Sequence, residues 1–286
     1  MTVTTSDSAP EASTPAPAGG LRELWELGKT VVYALLIALA LRIVLFQPFT
    51  IPSASMEPTL YEGDYIIVSK FAYGWSKHSI PFSPPIFSGR IGQRGPDRGD
   101  IIVFKLPRDG HTDYIKRLIG LPGDKIQVRN SELYVNGARV PRAAAGVTQE
   151  PSPYGGAPRP IQQFRETLPG GRSFVTNDYG PQGGADDTGT YTVPAGCYFM
   201  MGDNRDNSLD SRFDPGLPPG ATSKCAWNPA LDQYVPPDAG VGFVPAENLV
   251  GKADLILLSW KPGASLFKPW TWVTNARPSR FLRFLK

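Results

Sequence analysis

The sequence predicts a mainly β protein behind a single N-terminal transmembrane helix. Three observations point there. Gly and Pro number 30 each among 286 residues, nearly twice average usage, and both are unfavourable inside helices, by about 1 and about 3 kcal/mol. After residue 50 the apolar residues fall in short β-branched or aromatic runs bounded by Gly, Pro, Asp and Asn, without sustained helical periodicity. Before residue 50 lies one long run with almost no charge. The length suffices for one large domain or two smaller ones with a real core. A net charge of +3, from 29 Lys and Arg against 26 Asp and Glu, argues against a dedicated nucleic-acid binder. Two Cys exclude a dense disulfide framework or a four-thiolate zinc site, and His78 and His111 leave little for a histidine-rich metal centre. No metal or cofactor is expected.

Residues 1–20 are small, polar and Pro-rich and are expected to be a disordered leader. They lack the basic start and early apolar run of a secretory signal peptide. Residues 21–49 form the anchor. Leu27 to Phe46 would cover about 30 Å as a helix, enough to cross a bilayer core. Arg42 sits near one end, where it can snorkel to headgroups. Trp25, Phe46 and Phe49 suit the interfaces, and Pro48 stops the helix. A buried core helix or an amphipathic surface helix is the competing reading, but the segment has no consistent polar face. Its orientation is weakly signalled, because Glu23 and Glu26 offset Arg22 and Lys29.

Strands are expected at Tyr65–Ser69, Asp100–Phe104, Asp113–Gly120, Lys125–Arg129, Glu132–Gly137, Thr190–Val193, Cys197–Gly202 and Ala253–Trp260. Three stretches rich in Gly and Pro interrupt them: Gly74–Gly99, Ala143–Gly189 and Asp214–Gly242. These read as long loops or an inserted subdomain. The organisation is therefore a β core in two parts, 50–142 and 190–286, with a smaller β subdomain inserted at 143–189 and a loop insertion at 214–242.

The chemistry starts just past the anchor, in PSASMEPTL (Pro52 to Leu60). A serine such as Ser53 or Ser55 is a poor nucleophile until a neighbour removes its proton; on its own the motif could equally be a Ser-rich linker. Neither histidine lies in an expected strand. Lys116 does, in DYIKRLIG, where two-residue alternation puts Tyr114, Lys116 and Leu118 on one face and Ile115, Arg117 and Ile119 on the other. Apolar neighbours would disfavour its ammonium and free a neutral amine to act as a base, although most strand lysines simply reach to water. The third element, GDNRDNSLDSR (Gly202 to Arg212), packs three Asp, two Arg, two Asn and two Ser into eleven residues. Such a mixture suits a fixed loop whose charges satisfy one another.

Together these segments resemble the bacterial type I signal peptidases, membrane-anchored serine proteases with a Ser/Lys dyad. The resemblance runs in order through PSASMEPTL, YIIVSKFAYG, RGDIIVF, DYIKRLIGLPGDKI, GDNRDNSLDSR and GFVPAENLVGKA, from about residue 25 to 260. RLIGLPGD and NRDNSLDSR are closest to the Gram-negative branch. The eukaryotic microsomal form carries a His in place of the Lys.

The resemblance implies that Ser55 is the nucleophile and Lys116 the general base. Ser53 and the Ser55 backbone N–H would form the oxyanion hole, and Ser208 would orient the lysine amine. Met56 would pack beside the nucleophile. Arg117, Asp203, Asp210 and Arg212 would hold the site in shape through ion pairs. Phe49, Ile51, Leu60, Tyr114 and Ile115 would wall shallow pockets for the small side chains of an Ala-x-Ala signal-peptide end. Ala54 stands where the family often has glycine, a mild departure. The partners implied are signal peptides of exported preproteins and the lipid bilayer, with the translocon as a further candidate. The location implied is the bacterial inner membrane, N-terminus cytoplasmic and catalytic domain periplasmic. An oxidising compartment permits a Cys197–Cys225 disulfide, and two free buried thiols fit as well. The tail Ala276–Lys286 carries four cations among Phe and Leu; contact with anionic headgroups and a frayed terminus are both open. Two other functions share these features: a different Ser/Lys peptidase of the repressor-like kind, against which the anchor speaks, and an inactive membrane-tethered assembly factor, against which Ser55, Lys116 and Ser208 speak.

Overall fold

Strand formation follows the short β-branched runs. The computed structural model describes residues 20–150, 157–181, 183–215, 225, 240–264 and 268–285. The expected leader and most of the 214–242 insertion lie outside the described residues. In chain order the elements are α1 (Gly20–Val44), β1 (Phe46–Thr50), β2 (Asp64–Ser69), β3 (Ile101–Lys105), β4 (Asp113–Gly120), β5 (Lys125–Arg129), β6 (Glu132–Val135) and β7 (Ala138–Arg139). They continue with β8 (Arg142–Glu150), β9 (Arg159–Thr167), β10 (Ser173–Asp178), β11 (Tyr191–Thr192), β12 (Cys197–Met201), β13 (Val244–Pro245), β14 (Leu249–Ser259), α2 (Trp270–Thr274) and β15 (Arg283–Phe284).

The helix α1 contains a span, Arg22–Val44, with mean hydropathy 2.0, none of it buried. It is long and apolar enough to cross a bilayer. The chain to Leu41 forms one unit and the chain from Arg42 another. The helix ends sooner than the sequence suggests: Phe46 to Phe49, placed in the anchor, belong to a strand that runs to Thr50 and pairs antiparallel with β2. Pro48 has no N–H to donate and biases its predecessor to extended backbone, which an edge strand tolerates.

In the second unit, an eight-stranded sheet runs β1-β2-β14-β3-β4-β12-β13, with β15 added beside β14. Its two faces make two cores, and β3 shows why its whole run is apolar. Ile101 and Val103 join Ile51, Met56, Leu60, Ile66 and Ile256, while Ile102 and Phe104 join Tyr73, Leu118, Met200 and Leu249. A four-stranded sheet, β11-β5-β6-β7, packs its own cluster around Ile126, Leu133, Tyr191 and Phe199.

Of the two readings of 143–189, the described residues take the inserted β subdomain. It supplies most of β8 and all of β9 and β10, a separate three-stranded sheet. These strands escape notice in the sequence because β8 is exposed along most of its length and β9 is largely polar, RPIQQFRET, so neither has the clean apolar alternation of a half-buried strand. Cys197 and Cys225 form a disulfide, which closes the free-thiol alternative. The tail is not frayed either. Residues of β15 pair with Leu255 and Ile256 of β14, and buried Arg280 donates to both carboxylate oxygens of buried Asp64, at 3.1 and 2.5 Å, and to Thr59 O at 2.9 Å.

Candidate active site

Ser55 stands in a short 3-10 turn, Ala54–Met56, between β1 and β2. Its neighbour Met56 is fully buried in the core under the large sheet, which pins the turn from below. Lys116 lies on β4, its register set opposite Ile102 of β3. The side chain is 4% exposed, and its Nζ lies 2.7 Å from Ser55 Oγ. The Tyr114 ring centroid is 5.5 Å from that Nζ, the same-face neighbour that alternation predicts. Burial lowers the Lys116 pKa from 10.5 to about 8, against the opposing pull of the Asp210 and Asp203 carboxylates. Ser53 Oγ sits 3.4 Å from Ser55 Oγ, on the exposed side.

The loop after β12 supplies the frame. Arg117, the residue after the lysine, makes a two-pronged pair with Asp203: Nε to Oδ1 at 2.8 Å and Nη2 to Oδ2 at 2.7 Å. Thr59 Oγ1 donates to the same carboxylate at 2.5 Å. Arg212 pairs with Asp210 in the same fashion, both contacts at 2.9 Å. Burial pushes the Asp210 carboxyl up, but the Arg212 guanidinium and the Gly202 and Arg212 backbone N–H groups outweigh it and hold it below the usual carboxylate range. Both pairs are buried, where removal of one partner is strongly destabilising. Ser208 Oγ donates to Asp210 Oδ2 at 2.8 Å rather than bonding Lys116.

Ser53, Ser55, Lys116 and Ser208 line one open cleft of about 600 Å³, together with Tyr114, Ile115, Leu209 and Phe213. Three expected wall residues behave differently. Ile51 and Leu60 are buried at 2% and 0% exposure in the core beneath, and Phe49 packs against that core rather than the cleft. Large apolar side chains next to a tight turn are drawn to the sheet interior, and only Tyr114 and Ile115 of the five reach the cleft.

Further residues inside the same motifs shape the site. A Cβ on Gly202 would lie 2.3 Å from Ser208 Oγ and 2.5 Å from Ser55 O, so a residue without a side chain is required for the loop to approach Ser55. Asn204 donates through its backbone N–H to Ser55 O at 3.1 Å. Asp206 and Asn207 line the cleft. Their position in a charge-dense motif was the available signal; their targets are backbone atoms, which a sequence does not display.

Residues 24–260 match the model of the family described as signal peptidase, peptidase S26. Signal peptidase I of Rickettsia typhi (strain ATCC VR-144 / Wilmington) is 38% identical over 239 residues, covering 80% of this chain and 78% of the relative. That of Rickettsia felis (strain ATCC VR-1525 / URRWXCal2) is 39% identical over 239 residues, covering 80% and 77%. A solved signal peptidase I from Enterococcus faecalis V583 aligns with 56% of this chain and 97% of its own at 23% identity, with a TM-score of 0.26.

Proposed function

The chain belongs to the signal peptidase family, peptidase S26, and from that premise we propose that it removes signal peptides from exported preproteins with a Ser55/Lys116 dyad, cutting after Ala-x-Ala ends. The observation that carries the reading is the 2.7 Å contact between Lys116 Nζ and Ser55 Oγ at the wall of an open cleft. As an ammonium the lysine donates in this contact. As a neutral amine it accepts the serine proton while Oγ attacks the scissile carbonyl. The same nitrogen then returns the proton to the leaving amine, and a water activated by it releases the acyl group. The oxyanion would be met by Ser53 Oγ and the Ser55 N–H; removing one such donor typically costs about 100- to 1000-fold in rate. Tyr114 and Ile115 would contact the small substrate side chains.

The helix α1 anchors the protein, with its N-terminus on the cytoplasmic side of a bacterial inner membrane and the catalytic unit on the periplasmic side, where translocated signal peptides arrive. In the tail, Arg277 is held by Glu62 O and Trp260 O and Arg280 by Asp64. Arg283 and the exposed Leu282 and Phe284 are left to touch anionic headgroups, at roughly 1 kcal/mol per well-placed cation.

The test is cleavage of a preprotein by the detergent-solubilised full chain beside Ser55→Ala and Lys116→Ala. The wild type should cut and both variants should lose activity by three orders of magnitude or more, on the order seen when such groups act as a unit. A folded wild type that does not cut, or either variant cutting normally, removes the dyad.

A further inference from the structure

We propose that Asn204 positions the nucleophile turn and that Tyr179, just past β10 of the inserted sheet, braces Asn204. This rests on the Ser55/Lys116 reading and assigns the inserted sheet a task. Asn204 is fully buried. Its backbone N–H donates to Ser55 O at 3.1 Å, and its Nδ2 donates to Ala54 O at 3.2 Å. One residue thus holds two successive carbonyls of the turn that carries the nucleophile.

The same Nδ2 also donates to Tyr179 Oη at 3.3 Å, and Tyr179 Oη donates to Glu150 Oε1 at 3.0 Å. Glu150, the last residue of β8, pairs with Arg159 of β9 at 3.0 Å. The Arg159 guanidinium lies 3.9 Å from the Tyr179 ring centroid. A contiguous set of polar contacts therefore runs from the β8–β9 pair to the nucleophile. Separate bonds fasten the loop bearing Asn204 to that sheet. Asn177 N–H donates to Asp203 O and Arg205 N–H to Asn177 O, both at 2.9 Å, while Arg205 grips buried Glu166 of β9 at 2.9 and 2.6 Å. Tyr179 N–H donates to Asp206 Oδ2 at 2.6 Å.

The physical need is clear. The turn is three residues long; Met56 fixes it from the core side, and the chain after it adds Glu57 N–H to Ala54 O at 3.0 Å and Leu60 N–H to Met56 O at 2.9 Å. A misplacement of about 1 Å between reacting groups costs on the order of 100-fold in rate, so the outer side of the turn needs a restraint of its own. Asn204 supplies donors to two acceptors there. An Asp of the same size would set a carboxylate against Ala54 O and reverse the contact.

The experiment uses the detergent-solubilised full chain and a fluorogenic peptide spanning an Ala-x-Ala site, with kcat, KM and the thermal midpoint read for each variant. Asn204→Ala and Asn204→Asp should lower kcat about 10- to 100-fold with KM within about twofold and the folded fraction unchanged at the assay temperature. Tyr179→Phe keeps the ring over Arg159 and the backbone bond to Asp206; it should lower kcat roughly 3- to 10-fold. The double variant Asn204→Ala/Tyr179→Phe should be no worse than Asn204→Ala. Wild-type kcat in the Asn204 variants, a loss explained by the unfolded fraction, or losses that multiply in the double variant overturn the proposal. Where the Asn204 variants do not fold, Tyr179→Phe decides, and wild-type kcat there overturns it. An active wild type with an inactive Ser55→Ala keeps the dyad whatever Asn204 does; a wild type that does not cleave overturns both.

Discussion

In the proposed mechanism Lys116 serves as a base only while its amine is neutral, and its burial in β4 sets when that is. Because burial lowers its pKa to about 8, the ammonium predominates below that pH and the amine above it. The expected result is a kcat/KM that climbs about tenfold per pH unit below the limb and levels off above it, measured on one peptide from pH 6 to 10. A flat profile, or a limb near the ordinary 10.5, would contradict a desolvated lysine base. The two catalytic candidates were legible through the ordered motifs that carry the family resemblance, since a serine after an apolar run or a lysine in an apolar strand is ambiguous by itself. Asn204 was not. In a loop already dense with Asp, Arg and Ser it looks like one more polar residue, and its partner Ala54 is 150 positions away.

Elements differ in how far local pattern betrays them. The strands from β2 to β6 announce themselves by β-branched runs between turn residues, and β4 and β5 have the bounds that the pattern suggests. The polar strands β8 and β9 do not, because their stability comes from pairing and from ion pairs such as Arg205–Glu166 rather than from an apolar face. The last strand, β15, is two residues long and owes its place to Arg280. Replacing Arg280 by Ala would leave the Asp64 carboxylate buried at 0% exposure, with Arg277 Nη1 at 4.0 Å as its remaining salt-bridge partner. We expect a loss of about 3–5 kcal/mol in denaturant unfolding. Arg283→Ala, at an exposed position, should leave stability within about 0.5 kcal/mol yet weaken binding to vesicles rich in anionic lipid. Equal stability in the two variants would show that the tail is not strapped through Asp64.

For the whole molecule, the division into α1 and the unit that begins at Arg42 makes membrane attachment separable from the β fold. The full chain should stay in the membrane pellet after alkaline carbonate extraction, whereas a chain lacking residues 20–41 should be released and keep its Cys197–Cys225 link. Release of the full chain would remove the anchor reading. The disulfide spans 28 positions; in the chain-entropy model such a closure contributes about 3–4 kcal/mol, so the released unit should melt lower under reducing conditions.

The order of amino acids alone was enough for the long apolar helix and the β class, and its resemblance to a known family singled out Ser55 and Lys116 as a candidate pair. Apolar run length, two-residue alternation and motif chemistry are all properties of neighbours along the chain. Long-range pairing decided the rest. It buried Ile51 and Leu60 under the cleft instead of along it and made a sheet from the polar stretch after residue 142. It also brought Asn204 onto the backbone of Ser55. Burial and hydrogen bonding are settled by what other strands bring to a residue, and none of that is encoded within a few positions of it.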